Sequence, residues 1–281
     1  MFFEVIMPEL PEVETVKKGL EPWIIDAVID SVDVRCSKLR WPIPANLKKI
    51  LSQQRVNNIF RRGKYLVFCF EHGALLIHLG MSGRLALFTS SQERPLIGKH
   101  DHVDFYFKNG SCLRYTDPRR FGSMLWVSGS DPFIHPLLSR LGVEPLSENL
   151  TADYLANQAK KRQVAVKSFI MDNRVVVGIG NIYATESLFL ARIHPLKPVN
   201  QLTRHQWITL VEVIKQVLVK ALAAGGTTLK DFVNSQGKPG YFMQQLAVYG
   251  RSGAPCVHCK TLLCQCIIGQ RTTVYCPVCQ R

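Results

Sequence analysis

Six of the nine cysteines fall between residues 256 and 279, and four of these have the spacing of metal ligands. Cys256-x2-Cys259 and Cys276-x2-Cys279 are separated by sixteen residues, the pattern of a structural zinc site built from two knuckles. Such knuckles present four thiolates to one Zn2+ at about 2.3 Å. Cys264 and Cys266 lack knuckle spacing, although either could replace a ligand. Disulfides are the competing reading, and they do not suit a reducing compartment. A second signal is Met7-Pro8-Glu9-Leu10-Pro11-Glu12. Methionine is normally trimmed ahead of a small residue, leaving Pro8 with a free secondary amine. An α-amino pKa of about 7.7–8.0 makes part of it neutral and nucleophilic near pH 7. Pro8 and Pro11 also suit the start of a helix. The third signal lies in two loops, Gly80-Met81-Ser82-Gly83 and Asp117-Pro118-Arg119-Arg120-Phe121-Gly122. Met, Arg and Phe at loop tips are poor surface choices, but they suit wedges inserted into a base stack. Lys64, in Arg61-Arg62-Gly63-Lys64-Tyr65, opens an apolar strand, where a lysine ordinarily snorkels to water.

The elements that must position these residues change character along the chain. The first half is strand-rich, with runs at 65–70, 74–79, 102–107, 111–115 and 123–127. Glu71-His72-Gly73 and Lys108-Asn109-Gly110 supply hairpin turns, and one helix is expected near 11–20. Short strands and tight turns predict a β-sandwich or barrel. Cys36, Cys69 and Cys112 are expected to be small buried hydrophobes. Prolines 132, 136 and 145 mark a transition to helical periodicity, clearest over Trp207–Leu222 and stopped by Gly225-Gly226. A second helix is expected over Ile182–Ala191, capped by Asn181, and a hairpin turning at Gly269-Gln270 between the knuckles. That hairpin would carry Arg271 outward beside its turn. The boundary falls near residue 145, and about 36 residues at the C-terminus need the metal to hold them together.

Charge narrows the partners. Across 281 residues, 35 Lys+Arg against 21 Asp+Glu give +14, with pI ≈ 9.5, a field that favours nucleic acid or an acidic membrane surface. No apolar run is long enough for a membrane span. Glu4, Glu9 and Glu12 interrupt the N-terminal apolar stretch, so a cytoplasmic protein is expected. Gly178-Ile179-Gly180-Asn181 precedes a helix, where free N–H groups bind phosphate. Lys160, Lys161, Arg162 and Lys167 lie just upstream and would add neutralising charge.

Together these stretches resemble the formamidopyrimidine-DNA glycosylase/endonuclease VIII family, across residues 7–281. The resemblance rests on PELPEVET (8–15), RRGKYL (61–66), HLGMSG (78–83), KHDHVD (99–104), YTDPRRFG (115–122), VGIGNIYATESLF (177–189), GGTTLKDF (225–232), GKPGYF (237–242) and the zinc unit. It implies an α+β multidomain chain: an N-terminal β-sandwich with a leading helix at 7–140, a helix-two-turn-helix domain at 146–240 and a zinc-finger β-hairpin at 246–281. It implies that Pro8, freed from Met7, attacks C1′ of a damaged nucleotide and forms a Schiff base, with strand cleavage by β,δ-elimination. Glu9 would carry protons, Lys64 would assist base release and β-elimination, and Arg271 would grip phosphate and act in δ-elimination. Met81, Arg119 and Phe121 would fill the void left by a flipped nucleotide. His100, Arg119, Arg162 and Asn181 would contact the backbone or orphaned base, and Lys230 would lie in the loop over the damaged base. Cys256, Cys259, Cys276 and Cys279 would hold one structural Zn2+. The expected substrates are 8-oxoguanine and formamidopyrimidines in double-stranded DNA, handled by a monomer. Leu10, where the endonuclease VIII branch typically has glycine, favours the purine branch. If Met1–Ile6 were retained, Pro8 would be acylated and the alternative would be a non-catalytic damaged-DNA-binding protein.

Overall fold

The computed structural model describes residues 7–90, 94–226 and 242–281. Helix α1 (Leu10–Ile24) begins with Pro11 at its second position, where the missing N–H costs no intrahelical bond, and the Glu12 carboxylate accepts the Glu9 N–H at 2.9 Å. Val13, Val16, Leu20 and Ile24 form its buried stripe, and each such burial contributes about 1.5–3 kcal/mol. Two four-stranded antiparallel sheets follow. One has the order β1-β6-β7-β5, from β1 (Ile29–Val34), β5 (Arg84–Phe88), β6 (Asp101–Phe107) and β7 (Cys112–Thr116). The other has the order β2-β3-β4-β8, from β2 (Asn58–Arg62), β3 (Tyr65–Phe70), β4 (Gly73–His78) and β8 (Ser123–Ser128). Inward residues of both sheets and of α1 share one apolar core, including Val32, Phe105, Leu66, Leu75 and Met124. This is the expected sandwich with a leading helix. Short helices α2 (Leu47–Leu51) and α3 (Pro136–Ser139) complete the described helices here.

The second half is helical: α4 (Ala152–Ala159), α5 (Val166–Ile170), α6 (Asn181–Leu190) and α7 (Arg204–Ala223). Helix α7 opens with a capping box between Thr203 and Gln206. Helix α6 is buried on every side through Phe189 and starts one residue earlier than expected. Gly180 is its cap, and Asn181 its first helical residue. The hairpin β9 (Cys264–Ile268) and β10 (Arg271–Tyr275) turns through Gly269 and Gln270, both with positive φ (54° and 61°). Two left-handed central residues make the tight turn that matches strand twist. Val274, Leu263 and Cys276 pack with Phe189 of α6 and Val248. Contacts divide the chain into two compact units, one holding the described residues up to Ser139 with Gly225 and Gly226, the other Arg140–Ala224 with Phe242–Arg281.

Candidate active site and nucleic-acid-binding residues

Pro8 and Glu9 are buried where the chain enters α1. Lys64, only 7% exposed, sits in the β2–β3 turn, whose Gly63 has φ +59°. The two segments are fastened together by Arg61, which donates to the Glu14 carboxylate at 2.7 Å and to the Gly63 carbonyl at 2.9 Å. Burial opposes the charge on Glu14, but the Arg61 hydrogen bond and charge win and hold its carboxyl below the ordinary value. Such a partly buried, hydrogen-bonded pair orients its two elements even where its net stabilisation is small. Gly226 approaches the same helix end: a Cβ there would lie 3.0 Å from the Glu12 carboxylate.

His78, the first residue of the HLGMSG stretch, neighbours Lys64. Burial, then the positive charges of Lys64 and Arg40, pushes its imidazole down to about 4, so it is neutral at pH 7. Its Nδ1 accepts the Gly80 N–H at 2.9 Å, which leaves the proton on Nε2. No local sequence signal marks this, because Lys64 and Arg40 reach it from distant segments.

The loop-tip residues fall into one neighbourhood. Arg119 and Phe121 are exposed, with the guanidinium 4.8 Å from the ring centroid, and Met81 is partly exposed. Arg120 takes φ +55° between them. The His100 carbonyl accepts the Asp117 N–H at 3.0 Å, which ties His100 to the turn bearing Arg119.

In the second unit, Asn181 does not stand open at the helix start. Its Oδ1 accepts from Lys167 Nζ at 2.6 Å, and its Nδ2 donates to the Thr272 carbonyl at 3.1 Å. Lys167 corrects an expectation: it is fully buried and donates also to Thr273 Oγ1 at 2.6 Å, so it supports other residues and offers no surface charge. An ammonium tolerates such burial only when oxygen acceptors replace its water shell. Through Thr272 and Thr273 this network fixes the strand that begins with Arg271. Arg162 stacks over Phe169 at 5.4 Å and pairs with Asp172 at 3.5 Å. Lys230 lies outside the described residues.

Cys256, Cys259, Cys276 and Cys279 bring their four sulfurs within 4.8 Å of one another. Cys256–Cys279 and Cys259–Cys276 are 3.9 and 3.4 Å apart, near the roughly 3.8 Å that tetrahedral bonds of about 2.3 Å impose and far beyond a disulfide of about 2.05 Å. The His258 and Cys279 N–H groups each point at a cluster sulfur from 3.4 Å, Cys256 and Cys276 respectively. The donor set therefore fits a tetrahedral thiophilic metal, and Cys264 and Cys266 stand outside it. Outside the finger, Cys112 is buried, whereas Cys36 and Cys69 are only partly so. The unit is anchored from α6: the Glu186 carboxylate accepts the N–H groups of Ala247, Val248 and Tyr249 at 2.8, 2.9 and 2.8 Å. Gln280 links the Cys276 N–H to the Ile193 carbonyl.

The chain thus joins a sandwich led by a helix, a helical unit and a four-cysteine hairpin. Residues 7–124 match the formamidopyrimidine-DNA glycosylase N-terminal domain and residues 141–233 the H2TH domain of the same enzymes. The formamidopyrimidine-DNA glycosylases of Vibrio cholerae and Pasteurella multocida are each 50% identical to 98% of this chain, over their whole length. The Lactococcus lactis Fpg, solved in complex with DNA containing an abasic site, superimposes with TM-score 0.89 at 33% identity, covering 97% of this chain and 99% of that one. MutM (Fpg) of Thermus thermophilus gives TM-score 0.84 at 35% identity, covering 97% and 98%. The chain belongs to the formamidopyrimidine-DNA glycosylase family.

Proposed function

We propose that this protein excises oxidised purines, 8-oxoguanine and formamidopyrimidines, from double-stranded DNA and then cuts the strand at the resulting abasic site. The observation that carries the reading is that Arg61, through Glu14 and the Gly63 carbonyl, ties the helix that follows Pro8 and Glu9 to the turn that bears Lys64. The Pro8 secondary amine attacks C1′ of the flipped nucleotide, the base leaves with a proton, and the sugar ring opens to a cationic iminium. That cation acidifies the C2′ proton, so β-elimination expels the 3′ phosphate and δ-elimination the 5′ phosphate, and hydrolysis of the imine frees the base-less sugar remnant from Pro8. Glu9 delivers and recovers protons at the sugar, and Lys64 assists base release and β-elimination. A base in a duplex is out of reach, so the nucleotide is flipped and Met81, Arg119 and Phe121 fill the gap. His100, Arg162 and Asn181 contact the backbone or the orphaned base, as does Arg119, and Lys230 covers the lesion.

An acylated proline has no nucleophilic lone pair, so the active form must begin at Pro8. The family match, which starts at residue 7, supports this. No described helix is long and apolar enough to cross a membrane, and the reading places a monomer in the cytoplasm, at the nucleoid. The division into 7–140, 146–240 and 246–281 assigns chemistry to the first part and grip on DNA to the other two.

Arg271 opens β10 directly after the turn. Arg271→Ala should weaken duplex binding and shift products from δ- toward β-elimination, read on a denaturing gel. An unaltered product ratio would remove the elimination role.

The cluster's metal is read as one structural Zn2+, held by Cys256, Cys259, Cys276 and Cys279. The ion would supply no reaction chemistry and would fix the ribbon that carries Arg271. Zinc removal should therefore unfold the finger and abolish tight DNA binding while the sandwich stays folded, measured by duplex binding beside circular dichroism. Replacing Cys264 or Cys266 should be tolerated far better than replacing Cys256 or Cys279. Less than half an equivalent of metal in active protein would refute the four-thiolate site.

The reading as a whole is tested by incubating the enzyme with an 8-oxoguanine duplex and with an undamaged one. Release of the base with strand scission on the first alone supports it, and inert damaged duplex counts against it.

A further inference from the structure

The two loops that carry Met81, Arg119 and Phe121 meet on one carboxylate. Asp117 is fully buried. Its Oδ1 accepts the Ser82 hydroxyl at 2.6 Å, and its Oδ2 accepts the Gly122 N–H at 2.8 Å and the Tyr115 hydroxyl at 3.2 Å. Ser82 Oγ in turn accepts the Arg119 N–H at 3.1 Å. The residues bonded are therefore Met81's neighbour, Phe121's neighbour and Arg119 itself. The backbone of Asp117 is held as well, its carbonyl 2.8 Å from His102 Nε2.

The packing around this carboxylate leaves no slack. A Cβ on Gly80 would collide with the Phe121–Gly122 backbone, and one on Gly122 with the Tyr115 hydroxyl. Burial, then the Asp117 charge, pushes the Tyr115 hydroxyl up, so it remains a donor. An ionised carboxylate accepts only, and three donors converge on it. A wedge assembled before it meets DNA has already met the entropy of ordering its loops, which would otherwise weigh against insertion.

We propose that Asp117 is a positioning residue whose carboxylate locks the Gly80–Gly83 loop and the Asp117–Gly122 turn into one preassembled wedge. The inference rests on the reading of Met81, Arg119 and Phe121 as void-filling residues, and it adds that they enter the duplex as a single block. Asp117→Asn replaces one accepting oxygen by an NH2, which cannot accept the Gly122 N–H or a hydroxyl proton. Ser82→Ala removes the hydroxyl that links the loops and disturbs the core less.

The test is stopped-flow fluorescence of 2-aminopurine beside an 8-oxoguanine in a duplex, which follows flipping, alongside cleavage of a preformed abasic site. Both variants should slow flipping about tenfold, the worth of one hydrogen bond to a charged group, and leave abasic-site cleavage within about twofold. Adding Met81→Ala to Ser82→Ala should slow flipping by less than the product of the separate effects. Unchanged flipping in Ser82→Ala, with Met81→Ala slow, would overturn the inference and leave the wedge reading standing. Unchanged flipping in Met81→Ala would overturn both. Equal loss of flipping and cleavage in folded protein would make Asp117 a general structural residue and also overturn the inference. Should Asp117→Asn fail to fold, Ser82→Ala carries the test by itself.

Discussion

Glu9→Gln is expected to bind a lesion-bearing duplex as tightly as the parent and to excise the base about 10²–10⁴-fold more slowly, the usual contribution of a positioned proton carrier. The substitution keeps size and polarity, so Pro8 and the start of α1 stay in place. What it removes is the exchangeable carboxyl proton. Glu9 is 2% exposed, and its N–H is held by Glu12, so the side chain sits on a defined backbone rather than a mobile tail. Single-turnover excision and equilibrium binding, measured on one preparation, separate the two roles. Parallel losses of binding and excision would assign Glu9 to the fold instead.

The second large effect concerns the Pro8 nitrogen. Protein that retains any residue ahead of Pro8 should lose strand cleavage and Schiff-base formation entirely, because amide resonance withdraws the lone pair that attacks C1′. Removing the extra residues should restore both steps, and mass spectrometry of the active fraction should give a chain of 274 residues, the 281 of the full sequence less the first seven. Full cleavage by protein with Met7 still attached would exclude Pro8 as the nucleophile and leave Lys64 as the leading replacement.

The parts of the molecule most legible in the sequence are those set by local chemistry. Knuckle spacing marked the four-sulfur cluster, and Gly269-Gln270 marked the hairpin turn that both residues now make with positive φ. Hairpin turns placed β3, β4, β6 and β7 within a residue or so at either end. Strand β1 has no clear sequence signal because its Asp30 and Asp33 disfavour strands, and pairing with β6 overrides that preference. Lys167 shows the limit from the other side. In a basic run it reads as solvated charge, yet its acceptors Asn181 and Thr273 lie 14 and 106 residues away. Asp117 is similar, since the Ser82 hydroxyl it binds comes from 35 residues upstream. Such networks form only once the topology has brought their members together.

If a proline amine performs the chemistry, the covalent intermediate must sit on Pro8. Borohydride reduction of the enzyme on an 8-oxoguanine duplex, followed by peptide mapping of the trapped adduct, tests it most directly. One covalent adduct is expected, on the amino-terminal peptide, with the added sugar mass on Pro8. An adduct on Lys64, or none from a chain that begins at Pro8 and still cleaves DNA, would contradict it.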